Sequence, residues 1–256
     1  MRYSYKNNME KYNLAKYIAH CGICSRREAE ELILDRKVSV NNKLVDDMTY
    51  DISDYDSVAV NGIEISLIDQ VKLYLFYKPR GCIVSRSDDQ DRKTIYDLIP
   101  KSLGRLVSVG RLDYNSEGLL LLTNYGPLAR YFELPQNEIK RTYELKLFGE
   151  WDNKYIEFLR NGVRVEGIKY KPINCRVLKN NQKQVRVECT LTEGKNLELR
   201  KIFKNFGFLV SKLKRVSYGH FKIGNMNQGE IIECRKFIVD KLMGEAKLKI
   251  AKNNFG

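Results

Sequence analysis

Helical and strand-like periods alternate along this chain. In residues 12–20, YNLAKYIAH, apolar side chains recur at the spacing of one helix face, and Gly22 offers that helix a stop. SRREAEELI then opens on Ser25 with Glu28 three residues later, a reciprocal arrangement that satisfies two otherwise orphaned helix-start amides. The period next changes to two. KVSVNNKLV predicts a strand, a turn at Asn41-Asn42 and a second strand, and SVAVNG predicts a third.

Residues 12–62 thus form a small unit, and 63–71 read as a linker or domain entry. KLYLFYKPRG supplies a strand that stops at a basic turn, Lys78-Pro79-Arg80-Gly81. DRKTIYDLI reads as a short helix ended by Pro100, and Leu119–Leu122 as a strand driven into a core. Pro127 suits the first turn of a helix through PLARYFEL. In KRTYELKLFG a strict period of two puts Tyr143, Leu145 and Leu147 on one face; NCRVLK and QVRVECTL add strands. ELRKIFKNF places Leu199, Ile202, Phe203 and Phe206 on a helical stripe, with Arg200 and Lys204 off it. Strands without regular intervening helices disfavour a doubly wound parallel sheet. The pattern predicts an α+β protein: the small unit, then a larger domain over 72–240 built on a mixed, mainly antiparallel sheet, then a variable tail over 241–256.

A length of 256 residues fits one large domain plus a small one. Charge sharpens the division. Residues 1–60 carry 9 lysines and arginines against 10 acids, and residues 61–256 carry 36 against 22, so the formal net charge of +13 belongs to the larger part. Such an excess favours a polyanionic partner without telling RNA from DNA. No signal-peptide segment or membrane span is evident, so the expectation is a cytoplasmic chain with no membrane partner. Six scattered cysteines fit reduced thiols. CGIC lacks a second cysteine pair to complete a zinc site, so packing is its expected role and no metal is expected.

One stretch raises a question of chemistry. In VGRLDYNSEGLLLLTN, Gly110 and Gly118 bracket Asp113 at the lip of a buried strand, where a reactive group can be held accurately. An aspartate accepting backbone hydrogen bonds in a turn leaves the same trace. Metal-dependent nuclease chemistry asks for several convergent oxygens, and no compact acidic motif promises them; glycosidase chemistry usually takes two carboxylates. EGKN lacks the spaced glycine of a nucleotide loop. A single fixed acid suits action at a sugar carbon or a neighbouring proton.

These segments resemble the RsuA/RluB-like family of ribosomal RNA pseudouridine synthases. The likeness is strongest in VGRLDYNSEGLLLLTN and continues through KPRG, KRTYELKLFG, LTEGKNLELRKIF and VSKLKRVSYG, while LAKYIAHCGICSRREAEELILDRKVSVNN resembles an S4 RNA-binding domain. Together they cover roughly residues 12–235 in order. The resemblance implies isomerisation of uridine to pseudouridine in ribosomal RNA without a cofactor, by a monomer acting on ribosomal RNA or a pre-ribosomal particle. It favours the large-subunit branch; small-subunit specificity and a noncatalytic ribosome-assembly protein are the alternatives.

By the same resemblance Asp113 is catalytic, acting at C1′ or on a ribose proton; Tyr143 stacks on the flipped base; and Arg200 pairs with the aspartate. Lys78, Arg80, Arg111 and Lys201 are implied substrate contacts, Lys201 standing where the family often has a second arginine. Arg26, Arg27, Arg36 and Lys37 become an RNA-gripping surface whose contacts are mainly to phosphate and shape. Tyr125 and Leu134 depart from the family pattern at positions that remove no expected catalytic group.

Overall fold

The computed structural model describes residues 12–253 apart from 54, 69, 87 and 182, with side chains through 246. It divides into two compact units, one running to Val71 and including Asn124–Pro127, the other comprising Lys72–Thr123 and the chain from Leu128.

In the first unit, β1 (Tyr12–Asn13) leads into α1 (Leu14–His20), capped where the Asn13 side chain accepts from the Lys16 amide. The anticipated box starts α2 (Arg26–Leu34): the Ser25 hydroxyl accepts from the Glu28 amide at 3.2 Å, and the Glu28 carboxylate accepts from the Ser25 amide. Next come β2 (Val38–Val40), β3 (Lys43–Val45), β4 (Asp51–Ile52), β5 (Val58–Val60) and β6 (Ile63–Ile65). Asn41 and Asn42 both take positive φ, 50° and 65°, so a two-residue turn joins β2 to β3 with the twist a hairpin needs. Four strands pair antiparallel in the order β3-β2-β5-β6, and β1 pairs with β4. Alternate valines of β2 and β5 face the helices, and each such burial is worth about 1.5–3 kcal/mol. Cys21 and Cys24 pack against this core.

The second unit begins at β7 (Leu73–Lys78) and continues through β8 (Val107–Val109), β9 (Glu117–Thr123), α3 (Gly126–Glu133) and β10 (Arg141–Phe148). Then follow α4 (Lys154–Asn161), β11 (Arg164–Val165), β12 (Ile168–Lys169), β13 (Asn174–Asn181) and β14 (Gln184–Leu191). α5 (Glu198–Asn205), β15 (Leu209–Tyr218), β16 (Phe221–Lys222), β17 (Ile231–Glu233) and α6 (Lys236–Asn253) complete it. Its sheet has the order β13-β14-β10-β15-β9-β7-β17, with β16 added to β15 and β8 to β9. Every ladder among these named strands is antiparallel except β9 with β15. All seven residues of β9 are buried, as the leucine run requires of a central strand.

Three local expectations change. Ile63–Ile65 pairs with β5 through a turn at Asn61 and Gly62, so 63–71 does not start as a linker: an exposed Ile63 and Glu64 hid a strand whose only buried side chain is Ile65. DRKTIYDLI is no helix. The Asp97 carboxylate accepts from both the Thr94 amide and hydroxyl, locking a turn there, and Thr94 bridges to Ile83. Finally, 241–256 is not a separate tail, because α6 starts at Lys236 and buries Val239, Leu242 and Ala246; residues 254–256 lie outside the described ones.

Candidate active site

The loop between β8 and β9 carries Asp113, and its backbone is fastened by three cations. Lys78, at the end of β7 and fully buried, donates to the carbonyls of Pro79, Asp113 and Ser116 at 3.0, 3.2 and 2.9 Å. Arg200, on α5, donates to Asn115 O at 3.0 Å and to Val210 O at 3.2 Å. Arg215, on β15 and 2 % exposed, donates to Leu119 O at 2.7 Å and to Arg111 O at 3.4 Å. Loop carbonyls cannot face a protein interior without donors, and long cationic side chains supply them across the gap that strand pairing leaves. A further anchor is the Gly110 amide, which donates to Glu133 at 2.7 Å.

Why three cations can converge there follows from strand order. β15 lies between β10 and β9, so Arg215 stands opposite Tyr143 on one side and Gly118 on the other. Gly118 is indispensable to this approach: its φ is +112°, and a Cβ would lie 2.6 Å from the Arg215 backbone nitrogen. Arg141, two residues before Tyr143 on the same face of β10, donates to Thr192 O, Phe132 O and the Tyr218 hydroxyl at 3.0–3.1 Å. Two guanidiniums lie over the Tyr218 ring, that of Arg141 at 4.8 Å and that of Arg215 at 4.9 Å from its centroid.

A cavity of about 460 Å³ opens over this floor. Asp113, Arg111, Tyr143 and Arg200 all line it, with Leu213, Arg215 and the 192–197 segment closing other sides. That volume suits a small ring with its sugar. Tyr143 is 9 % exposed, so its ring face is largely committed to the cavity wall and core. Burial lowers the Arg200 guanidinium and the Lys78 ammonium from their ordinary values, and the Asp113 charge pulls each partway back. Asp113 therefore lies within the field of both. Among the described residues, the fully buried Nε of Arg200 and Nη2 of Arg215 have no hydrogen-bond partner.

The other expected site residues are placed as follows. Lys78 does not line the cavity, and its ammonium is bonded to three carbonyls of the loop and turn. Arg200 forms no ion pair with Asp113 within 4.0 Å among the described residues; its fork grips the loop two residues on instead. Arg80 is exposed and reaches Ser211 O at 3.5 Å, and Lys201 is half-buried; neither lines the cavity. Arg26, Arg27, Arg36 and Lys37 are exposed on the first unit, where Arg26 pairs with Glu30, Arg36 with Asp46 and Lys37 with Asp35. Among the described residues no cluster of three metal-ligating side chains is placed to hold an ion, and no helix is long and apolar enough to cross a membrane.

Sequence reasoning missed Arg141, Arg215 and Glu198, all of which line the cavity. For Arg215 a signal existed. In VSKLKRVSYG, residues 213 and 215 share one strand face, so an arginine beside a buried leucine marks a buried cation needing partners.

Comparison with known proteins places this architecture. Residues 72–205 match the RNA pseudouridylate synthase family, and residues 13–54 match the S4 domain. The chain belongs to the RNA pseudouridylate synthase family and is an RNA pseudouridine synthase. It is 36% identical to the ribosomal large subunit pseudouridine synthase B of Bacillus subtilis over 231 residues, 90% of this chain and 94% of that one. A Rickettsia typhi protein described as an uncharacterized RNA pseudouridine synthase is 40% identical, over 91% of this chain and 95% of its own. A crystal structure of a pseudouridylate synthase superposes with a TM-score of 0.65 at 26% identity, covering 90% of this chain and 98% of that one.

Proposed function

We propose that this enzyme converts one defined uridine of ribosomal RNA, in the large subunit, into pseudouridine, with Asp113 as the group acting on the ribose. The observation that carries the reading is the meeting of Asp113, Tyr143 and Arg200 around one cavity of about 460 Å³. The Bacillus subtilis relative's large-subunit name supports the choice of RNA.

A uracil inside a folded RNA must leave its stack to be reached, and Tyr143 offers a flat apolar surface for it. The carboxylate of Asp113 then works at C1′ or on a neighbouring ribose proton while the base is detached, turned and rejoined through C5. Either route demands that the acid stay still relative to the sugar. Carbonyls of Arg111, Asp113, Asn115 and Ser116, each taken by a cationic side chain, supply that rigidity. The positive charges of Arg200 and Arg215, which both line the cavity, complement negative charge on the detached uracil. On the first unit, exposed Arg26, Arg27, Arg36 and Lys37 serve as exchangeable phosphate contacts, since exposed ion pairs hold by at most about 1 kcal/mol.

Pseudouridine mapping at nucleotide resolution tests the reading on large- and small-subunit RNA treated with the wild-type chain or with Asp113→Asn. Product at one large-subunit uridine, lost in the variant while RNA is still bound, is expected. Product only in small-subunit RNA moves the substrate; undiminished product with Asp113→Asn overturns the role of the acid.

A further inference from the structure

The 192–197 wall of the cavity contains an unsolved charge problem. Glu198, the first residue of α5, is 4 % exposed and lines the cavity. One of its oxygens, Oε2, accepts from the Lys195 amide at 2.9 Å. The other, Oε1, is buried with no donor to receive from, although the Glu193 carboxyl lies within hydrogen-bonding reach. Two carboxylates cannot hydrogen-bond each other, and an ionised buried pair would repel. One proton on Glu198 removes both difficulties, because a carboxylic acid donates where a carboxylate cannot, and the Glu193 carboxylate accepts.

We propose that Glu198 is a positioning residue for the isomerisation: it stays a neutral carboxylic acid, donates a hydrogen bond to the Glu193 carboxylate, and so ties the helix that carries Arg200 to the cavity wall. The proposal rests on the reading of this cavity as the uridine site.

Every neighbour fits the assignment of charge. Glu193 is the ionised partner: it accepts from the Lys171 amide and, at 2.7 Å, from the Lys195 ammonium. Partial burial opposes its ionisation, yet these bonds hold its carboxyl below the usual range. For Glu198, burial comes first and the Glu193 charge adds to it, pushing its carboxyl up to about 7. Tyr170 also faces the pair, its hydroxyl buried without a partner and its ring 5.2 Å from the Lys195 ammonium. On the far side of the wall, the Arg141 guanidinium is bonded to Thr192 O. Among the described residues no cation is bonded to Oε1, which leaves a proton as the means of neutralising Glu198.

The sign of the pH dependence follows. Because the folded value of Glu198 lies above its ordinary 4.5, the stabilisation is complete below that pH and is lost as pH rises through about 7. The wall then loosens from α5, and Arg200 loses its fixed place over the Asp113 loop.

The full-length protein, labelled at glutamate carboxyls, tests the pair by carbon NMR without any substitution. One glutamate titrating near 7 is expected; completion of every glutamate titration below pH 6 overturns the proposal. Turnover of the ribosomal RNA substrate and thermal midpoints are then compared between wild type and Glu198→Gln from pH 6 to 8.5. Glutamine keeps the shape and a donor but cannot ionise, so the ratio of variant to wild-type turnover is expected to rise about tenfold over that span. A ratio constant within about twofold overturns the positioning role. Glu198→Ala, which lacks the donor, is expected to lose turnover at every pH. Asp113→Asn run alongside separates the two readings: if it still isomerises uridine the assignment of the cavity fails, while NMR and melting curves still decide the carboxyl pair.

Discussion

The second unit has surface ion pairs like those of the first, such as Arg176 with Glu188 and Lys154 with Asp152, but the cations around its cavity are used in the opposite way. On the first, Arg26, Arg36 and Lys37 lie at the surface and pair directly with carboxylates there. In the second, Lys78, Arg141 and Arg215 are buried, and their acceptors are backbone carbonyls apart from the Tyr218 hydroxyl bonded to Arg141. An exposed pair is held weakly enough for a phosphate to replace its acid, whereas a buried cation bonded to carbonyls is costly to disturb and fixes the chain around it. The former arrangement suits recognition of a salt-screened polyanion. The latter suits accuracy at a reacting atom.

Substitutions can break that contrast, beginning with the acid that the buried cations serve. Asp113→Asn is expected to lower single-turnover rate by about a thousandfold or more with binding retained, as for loss of a group at the reacting atoms; a loss of tenfold or less removes it from the chemistry. Lys78→Met comes next. It strips donors from three buried carbonyls and is expected to cost roughly 2–4 kcal/mol in urea unfolding, with turnover falling as the loop slackens. If stability is unchanged, the buried cations are not what fixes the loop. Arg200→Lys keeps the charge but loses the fork joining Asn115 O to Val210 O, so turnover is expected to fall about tenfold with stability changed by less than about 1 kcal/mol. The smallest effect belongs to the other unit. Arg26→Ala with Arg27→Ala is expected to weaken RNA binding a few-fold and flatten its salt dependence by about one to two log units per log unit of salt. A large loss of stability there would show that these arginines are structural, erasing the contrast.

What could be read in advance followed the same division. Local rules act over a few residues: the Ser25–Glu28 box, the Asn41-Asn42 turn and the alternation of Tyr143, Leu145 and Leu147 were all legible, and each is present. The α+β class with a mixed sheet was legible too, although the one parallel ladder was not assigned to any pair of strands. Asp113 stood out because glycines flank it and a leucine run follows. Its supports did not. Lys78 looked like a basic turn because nothing local announces that three carbonyls from residues up to 38 positions away will enclose its ammonium. Arg200 was expected to partner the acid because the family resemblance implies it; the fold shows its fork bonded to Asn115 O. Glu198 read as one more polar residue on an amphipathic helix, because burial at a helix start depends on what covers it.

The ladder joining β9 to β15 links positions far apart in the chain: the Arg215 side chain meets Leu119 O across 96 residues. During synthesis, then, the acid's loop emerges long before the strand that braces it. Partial chains ending before residue 209 are expected to carry Asp113 without a working site, because closing so long a segment comes late among folding events. On the proposed reading, an RNA held by the leading unit would meet a complete site only once β15 has joined β9.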